Sequence, residues 1–319
     1  MKILLTGANG FLGHNLVDYY EKLSNDYTLV GISSKFRRDS KLGGWHCDLR
    51  KQDACKSMLQ SIKPDVVIHA AGTVGGIGAN KENPGKFMYE NLIMGANMIH
   101  EAMEQKISKF ILLGTVCAYP KHTPVPFKEE ELWNGYPEET NAPYGIAKKS
   151  LMKLVETYHE QYGMNGVNLI PVNMYGPYDH FNLTSSHVIP ALILKVHQAI
   201  QANNKSITLW GTGKASREFL YAPDCVEAIQ LAIEKDIAPQ PINIGTGQEI
   251  KISNLIENIC DIMAYDGDIL YDTSKPDGQP RRCLDTSKAH KLLGFQAKTS
   301  LNDGLVQTIK WFKETISGV

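Results

Sequence analysis

The sequence predicts an α/β fold, a doubly wound parallel sheet followed by a smaller C-terminal region. Three observations carry that prediction. Short, almost continuously apolar runs alternate with longer amphipathic stretches through the first half of the chain, as expected of strands buried on both faces beneath covering helices. A turn with three glycines, Gly7-Ala8-Asn9-Gly10-Phe11-Leu12-Gly13, separates the first apolar run from the first amphipathic stretch. After about residue 175 the alternation gives way to shorter runs and turn-rich segments.

Taken in order, Lys2–Thr6 reads as the first strand and Phe11–Leu23 as the first helix. Further strands are expected over Thr28–Ser33, Val66–Ala70, Phe110–Gly114 and Gly166–Pro171, with helices over Lys51–Ile62, Phe87–Met103 and Tyr144–Tyr162. The order βαβαβ is that of a doubly wound, Rossmann-type sheet. Residues 1–175 are expected to form a dinucleotide-binding domain. Residues 176–319 form mainly a substrate-binding region, with segments recrossing to the first domain. There a helix is expected over Ile189–Ala202, a strand over Ser206–Trp210, and apolar patterns near Cys225–Glu234 and Ile252–Met263.

With 319 residues, 43% of them hydrophobic, the chain can bury a substantial core. Its 33 basic and 34 acidic residues leave a formal net charge of -1, which gives no support for nucleic acid or an anionic membrane as partner. A small anionic molecule needs only a few local positive charges. The first strand begins at Lys2, leaving no room for a signal peptide, and no apolar run is long enough to span a bilayer. A cytoplasmic location is expected. The six cysteines are scattered without a C-x-x-C pair, so free thiols are expected, with neither disulfide nor metal site.

The glycine turn has a specific chemistry. Gly7 would permit the tight turn, Gly10 the backbone approach to a pyrophosphate and Gly13 close packing of helix on strand, while the helix N-terminus offers N–H groups to the anion. The second strand runs into Ser33-Ser34-Lys35-Phe36-Arg37-Arg38, with no carboxylate before Asp39. Arg37 or Arg38 would suit the 2′-phosphate of NADPH; a solvated basic loop is the plainer reading. Asp48 stands where it could reach an adenine or cap the following helix.

Tyr144 and Lys148, four residues apart, share one helical face. An ammonium close to a phenol would favour the phenolate, letting Tyr144 exchange a proton with a substrate oxygen while hydride moves at the attached carbon. Thr115, after the strand Phe110–Gly114, could hydrogen-bond the same oxygen. Glycine turn, hydroxyl and Y-x-x-x-K in this order are far more specific together than any one of them.

With these motifs in place, the chain resembles the extended short-chain dehydrogenase/reductases and, among them, the GDP-L-fucose synthase family. Its most specific stretches are 72–80 (GTVGGIGAN), 113–120 (LGTVCAYP) and 186–192 (SHVIPAL), supported by 173–177, 210–213, 217–220 and 275–281. The resemblance implies NADPH as cofactor, a GDP-linked 4-keto sugar as substrate, epimerisation at the carbons flanking C4, then reduction at C4. It places Cys117 and His187 as the acid/base pair. Alone, Cys117 would read as a small buried hydrophobe and His187 as a core or helix-start histidine.

Cofactor contacts would come from Gly7, Asn9, Gly10, Phe11, Leu12 and Gly13, from Ser33, Ser34, Arg37 and Arg38, and from Asp48, Leu49, Ala71 and Lys148. Substrate contacts would come from Asn173, His187, Val188 and Leu192, with Trp210 near the guanine and Arg217 and Arg282 near the diphosphate or ribose. Lys195 is a further candidate cation, or simply a surface charge. The chain departs from the family pattern at Thr115-Val116-Cys117, where two serines usually precede the cysteine, and at Ala118, where isoleucine is usual. These changes lie close to the sugar. Related folds dimerise through the helices matching Phe87–Met103 and Tyr144–Tyr162, so a homodimer is expected.

Other functions remain open at this point. A 4,6-dehydratase would place an acid pair where Val116 and Cys117 stand, and a plain C4 epimerase has no need of Cys117 and His187. A C4 reductase without epimerisation, acting on a GDP-4-keto-heptose or deoxyhexose, keeps the same residues. A non-catalytic dinucleotide-binding protein would not need Tyr144 and Lys148.

Overall fold

The computed structural model describes residues 1–23, 27–33, 45–183, 185–275 and 277–316. In chain order the first half contains β1 (Lys2–Thr6), α1 (Phe11–Lys22), β2 (Thr28–Ser33), β3 (Trp45–His46), α2 (Gln52–Ile62), β4 (Val66–His69), α3 (Ile77–Glu82), α4 (Pro84–Glu104), β5 (Lys109–Leu113), α5 (Ala142–Tyr162), β6 (Gly166–Pro171) and β7 (Asn173–Tyr175). The second half contains α6 (Val188–Gln201), β8 (Ser206–Trp210), β9 (Ser216–Tyr221), α7 (Ala222–Glu234), β10 (Pro241–Ile244), β11 (Glu249–Lys251), α8 (Ile252–Met263), β12 (Asp268–Asp272), α9 (Ser287–Leu293) and α10 (Leu301–Thr315).

Seven strands form one sheet in the order β10-β6-β5-β4-β1-β2-β3, and every pairing in it is parallel. Side chains of β4, β5 and β6 are buried along their whole length, because helices cover both faces and leave no solvated side. Helix α4 packs on α2 and α5, while α1 packs on α7. The strand order reverses between β1 and β4, and the crevice beyond their carboxyl ends is where doubly wound sheets bind ligands.

The chain beyond β6 contributes to both halves of the molecule. Strand β10 pairs with β6, with Ile242 beside Leu169 and Ile244 beside Pro171. A second apolar core gathers Ile193 and Val196 of α6, Leu255 and Ile259 of α8, and Ile309 and Phe312 of α10. Around it lie the small sheet β11-β9-β7 and the pair β12-β8.

Candidate active site

The glycine turn follows from its contacts. Gly7 has φ +75°, and a Cβ there would lie 2.9 Å from the Ala71 backbone. A Cβ on Gly13 would come within 2.2 Å of the Gly7 carbonyl oxygen, so α1 can approach the turn only with glycine at this position. Gly10 is the exposed N-cap of α1, with no side chain capping the helix. First-turn amides thus remain open to an anion, and the cradle fits a pyrophosphate. Below the turn, the Thr6 hydroxyl contacts His69 Nδ1 at 3.0 Å and accepts the Ala71 amide at 3.1 Å. That contact joins β1 to β4 at the point where the strand order reverses.

The predicted cofactor residues fare differently. Gly7, Asn9, Gly10, Phe11, Gly13 and Ala71 surround the turn. Leu12 and Leu49 have side chains buried in the core, so only their main chains can face a ligand. Asp48 is not the cap of α2, whose N-cap is Lys51. Its carboxylate instead receives Arg50 Nε at 2.9 Å and Nη2 at 3.0 Å, and the same guanidinium reaches Glu90 at 3.0 Å. Glu90 in turn accepts the Thr73 hydroxyl at 2.7 Å, a chain of contacts that sequence reasoning missed because it depends on tertiary placement. Ser34, Arg37 and Arg38 lie outside the described residues, as does the side chain of Ser33.

Tyr144, Thr115 and Cys117 come together for an identifiable reason. Gly145 follows the tyrosine, and a Cβ there would stand 2.3 Å from the Cys117 carbonyl oxygen. Glycine lets the first turn of α5 settle on the short 3-10 turn Val116–Ala118, itself capped by the Thr115 hydroxyl accepting Cys117 N–H at 3.2 Å. The Thr115 hydroxyl also stands beside the Tyr144 phenol, with Cys117 close by. Tyr144 keeps part of its surface open although protein surrounds it, which is the position of a side chain lining a cleft.

One electrostatic expectation is overturned. Lys148 does not lower the phenol: the Tyr144 pKa is pushed up, first by burial and then by Cys117, with the Thr115 hydroxyl opposing. Lys148 is buried and donates to the Leu113 carbonyl at 3.0 Å, and burial pushes its ammonium down to about 8. In both groups burial disfavours the charged form. Tyr144 is therefore a protonated phenol at neutral pH, which is the form that donates a proton.

His187 is the N-cap residue of α6. Its surface is open to solvent, yet protein encloses it on most sides, and burial with the nearby His180 lowers its pKa. At neutral pH it is an unprotonated imidazole able to accept a proton. The Gly72–Asn80 segment lies alongside, with the Gly76 amide donating to Ser185 O at 3.2 Å. On the same segment a Cβ on Gly72 would be 3.9 Å from Lys148 Nζ.

At the substrate end, Arg282 Nη1 lies 3.8 Å from Cys117 Sγ. Arg217 is pushed down to about 10 by burial and by the neighbouring Arg282, so it stays charged at neutral pH. Two neighbouring cations with planar donor edges suit a diphosphate. Next to Arg217 on β9, Glu218 is fully buried and accepts N–H bonds from Thr246, Gly247 and Leu284 at 2.6–2.8 Å. It ties the segment carrying Arg282, and the turn at Thr246 and Gly247, to the strand that carries Arg217.

Trp210 is 72% exposed, with Lys275 Nζ 5.8 Å from its ring centre, and Val188 is also exposed. Asn173 donates to Glu218 O at 3.3 Å. Two expected substrate residues are otherwise engaged: Leu192 is packed in the second core, and Lys195 donates to Thr208 O at 2.6 Å. Among the described residues no group of three or more metal-ligating side chains occurs, and no helix is long and apolar enough to cross a membrane.

A doubly wound sheet, a glycine turn at its crevice and a helix carrying Tyr144 and Lys148 define an extended short-chain dehydrogenase/reductase. The chain belongs to the NAD dependent epimerase/dehydratase family, whose model matches residues 3–245. It is 42% identical to a GDP-L-fucose synthase of Sinorhizobium fredii over 270 residues, 85% of this chain and 86% of that protein. A GDP-L-fucose synthetase from Naegleria fowleri bound to NADP superposes with a TM-score of 0.87 at 28% identity, covering 99% of this chain and 95% of that one. A GDP-mannoheptose C4 reductase from Campylobacter jejuni with NADP bound gives 0.85 at 28% identity, covering 98% of each.

Proposed function

We propose that this protein is an NADPH-dependent enzyme that inverts C3 and C5 of a GDP-linked 4-keto sugar and then reduces C4. The observation that carries the proposal is the convergence of Tyr144, Thr115 and Cys117 at the start of α5, with Arg282 against the cysteine sulfur. When bound, the reduced nicotinamide would supply hydride to C4; Gly7, Gly10 and Gly13 would hold its pyrophosphate.

The chain's own residues supply the proton chemistry. Tyr144 and Thr115 donate hydrogen bonds to the C4 oxygen, stabilising the enolate that forms when an adjacent C–H is deprotonated. His187, unprotonated at neutral pH, and Cys117 take and return protons at the carbons beside C4, one from each face of the ring. Hydride addition leaves an alkoxide at C4, and Tyr144 gives up its phenolic proton to it. Arg217 and Arg282 hold the diphosphate. The proposed enzyme is a cytoplasmic homodimer pairing α4 and α5 with their copies. Tyr89 and Tyr162 on these helices are 63% and 52% exposed, and a solution mass of two chains would bear this out.

The test is turnover in D2O with NADPH and a GDP-linked 4-keto-6-deoxyhexose. The expected product carries deuterium at both C3 and C5, with one NADPH oxidised per product. Absence of NADPH oxidation with this substrate and with a GDP-linked 4-keto-heptose would overturn the proposal. A second reading, reduction alone on a heptose-type ketone, is favoured by the likeness to the heptose reductase; Val116 and Ala118, expected near the sugar, are instead buried in the main core. This reading predicts a reduced heptose product without deuterium at C3 or C5.

A further inference from the structure

We infer that Gln279 is a positioning residue for the chemistry of Cys117, fixing the guanidinium of Arg282 against the cysteine sulfur. The inference rests on the acid/base role proposed for Cys117. Gln279 uses both ends of its amide. Its Nε2 donates to the Lys121 carbonyl at 2.7 Å, four residues beyond Cys117 and on the same loop. Its Oε1 accepts Arg282 Nη2 at 2.9 Å and Nε at 3.2 Å.

Those two donors form one edge of the planar guanidinium. With that edge pinned, the remaining Nη1 is directed away from the amide, and its contact is Cys117 Sγ at 3.8 Å. One side chain thus locks the loop carrying Cys117 to the segment carrying Arg282, although the two are 165 residues apart in sequence. The partner's charge matters as much as its shape. A carboxylate at position 279 would neutralise the guanidinium, whereas the neutral amide orients it and leaves its full positive charge facing the sulfur. A fixed cation there stabilises the negative charge that grows on sulfur as its proton leaves. Arg217, beside Arg282, leaves the diphosphate a second cation that does not depend on Gln279.

The experiment measures alkylation of Cys117 by iodoacetamide, a neutral probe, using peptide mass spectrometry on the full-length protein. Gln279→Met removes donor and acceptor with little change in volume. It should slow alkylation about fivefold or more, Arg282→Met should do the same, and the double variant should be no slower than Arg282→Met alone. The other five cysteines are buried, so their continued protection shows that the fold is intact. Alkylation of Gln279→Met at the wild-type rate, or losses that multiply in the double variant, would overturn the inference. Deuterium exchange separates this outcome from failure of the proposed function. Gln279→Met should slow C3/C5 exchange while hydride transfer to an already epimerised ketone, at saturating substrate, changes less than about twofold. Slowed alkylation in the variant together with a wild type that exchanges no deuterium would leave the positioning intact and remove the epimerase assignment.

Discussion

Two ionisable side chains show how burial sets chemistry in this protein. The Tyr144 phenol is held in its acid form by desolvation, which suits a group that must give a proton to an alkoxide. Tyr144→Phe should lower kcat by about 10²–10⁴-fold, the usual worth of a positioned acid, with little change in NADPH affinity. Stopped-flow measurement of hydride transfer and a cofactor titration would check both halves. The other side chain is Asp179, 6% exposed. One carboxylate oxygen accepts the His180 amide at 2.7 Å, and the other is buried without a hydrogen-bond partner. Burial pushes its pKa up from 3.8 to about 7. Because the folded-state value lies above the unfolded one, the charge penalty is absent below about pH 4, grows as pH rises and is complete above about 7. Asp179→Asn should flatten that slope, narrowing the change in unfolding free energy between pH 5 and 8 by on the order of 2–3 kcal/mol. Urea melts of both proteins at the two pH values would show it; parallel curves would mean Asp179 is not the source.

At the scale of the element, the decisive contact is α5 on the turn after β5. Gly145→Ala would put a methyl group 2.3 Å from the Cys117 carbonyl oxygen. The helix must then shift, costing about 1–3 kcal/mol by overpacking and moving Tyr144 from Thr115, so kcat should fall with stability. A denaturation midpoint and an NADPH oxidation assay would test both. Elements such as this one were legible in the sequence because their signals are local. Lys2–Thr6, Thr28–Ser33, Gly166–Pro171 and Ser206–Trp210 match the expected strands residue for residue, each an apolar or alternating run closed by turn residues. Helix α5 begins two residues earlier than expected, at Ala142, with Pro143 in its first turn, where proline is well tolerated. Strand β10 escaped notice because Pro-Ile-Asn-Ile is too short to declare itself without its partner β6. For α10 a signal was available and missed: Ser300 accepts the Asp303 amide at 3.1 Å, a cap of the Ser-x-x-Asp kind. The cluster of Tyr144, Thr115 and Cys117 was readable from motif order. Gln279 and Arg50 were not, since each acts through partners distant in sequence.

At the scale of the whole molecule, residues far apart in the chain depend on one another. Glu218, from β9, holds the segments around Thr246 and Leu284, and helix α1 at the start of the chain packs on α7 in its second half. The large sheet is completed only when β10 arrives beside β6. Expressing residues 1–175 alone would therefore not yield a free-standing nucleotide-binding module. The flank of Gly166–Pro171 would be stripped of its neighbour, presenting a row of amides and carbonyls on an apolar ribbon, a template for uncontrolled self-association. Such a fragment should partition into inclusion bodies and, on co-expression with residues 176–319, regain solubility by complementation. A monomeric, soluble 1–175 fragment in size-exclusion chromatography would contradict this.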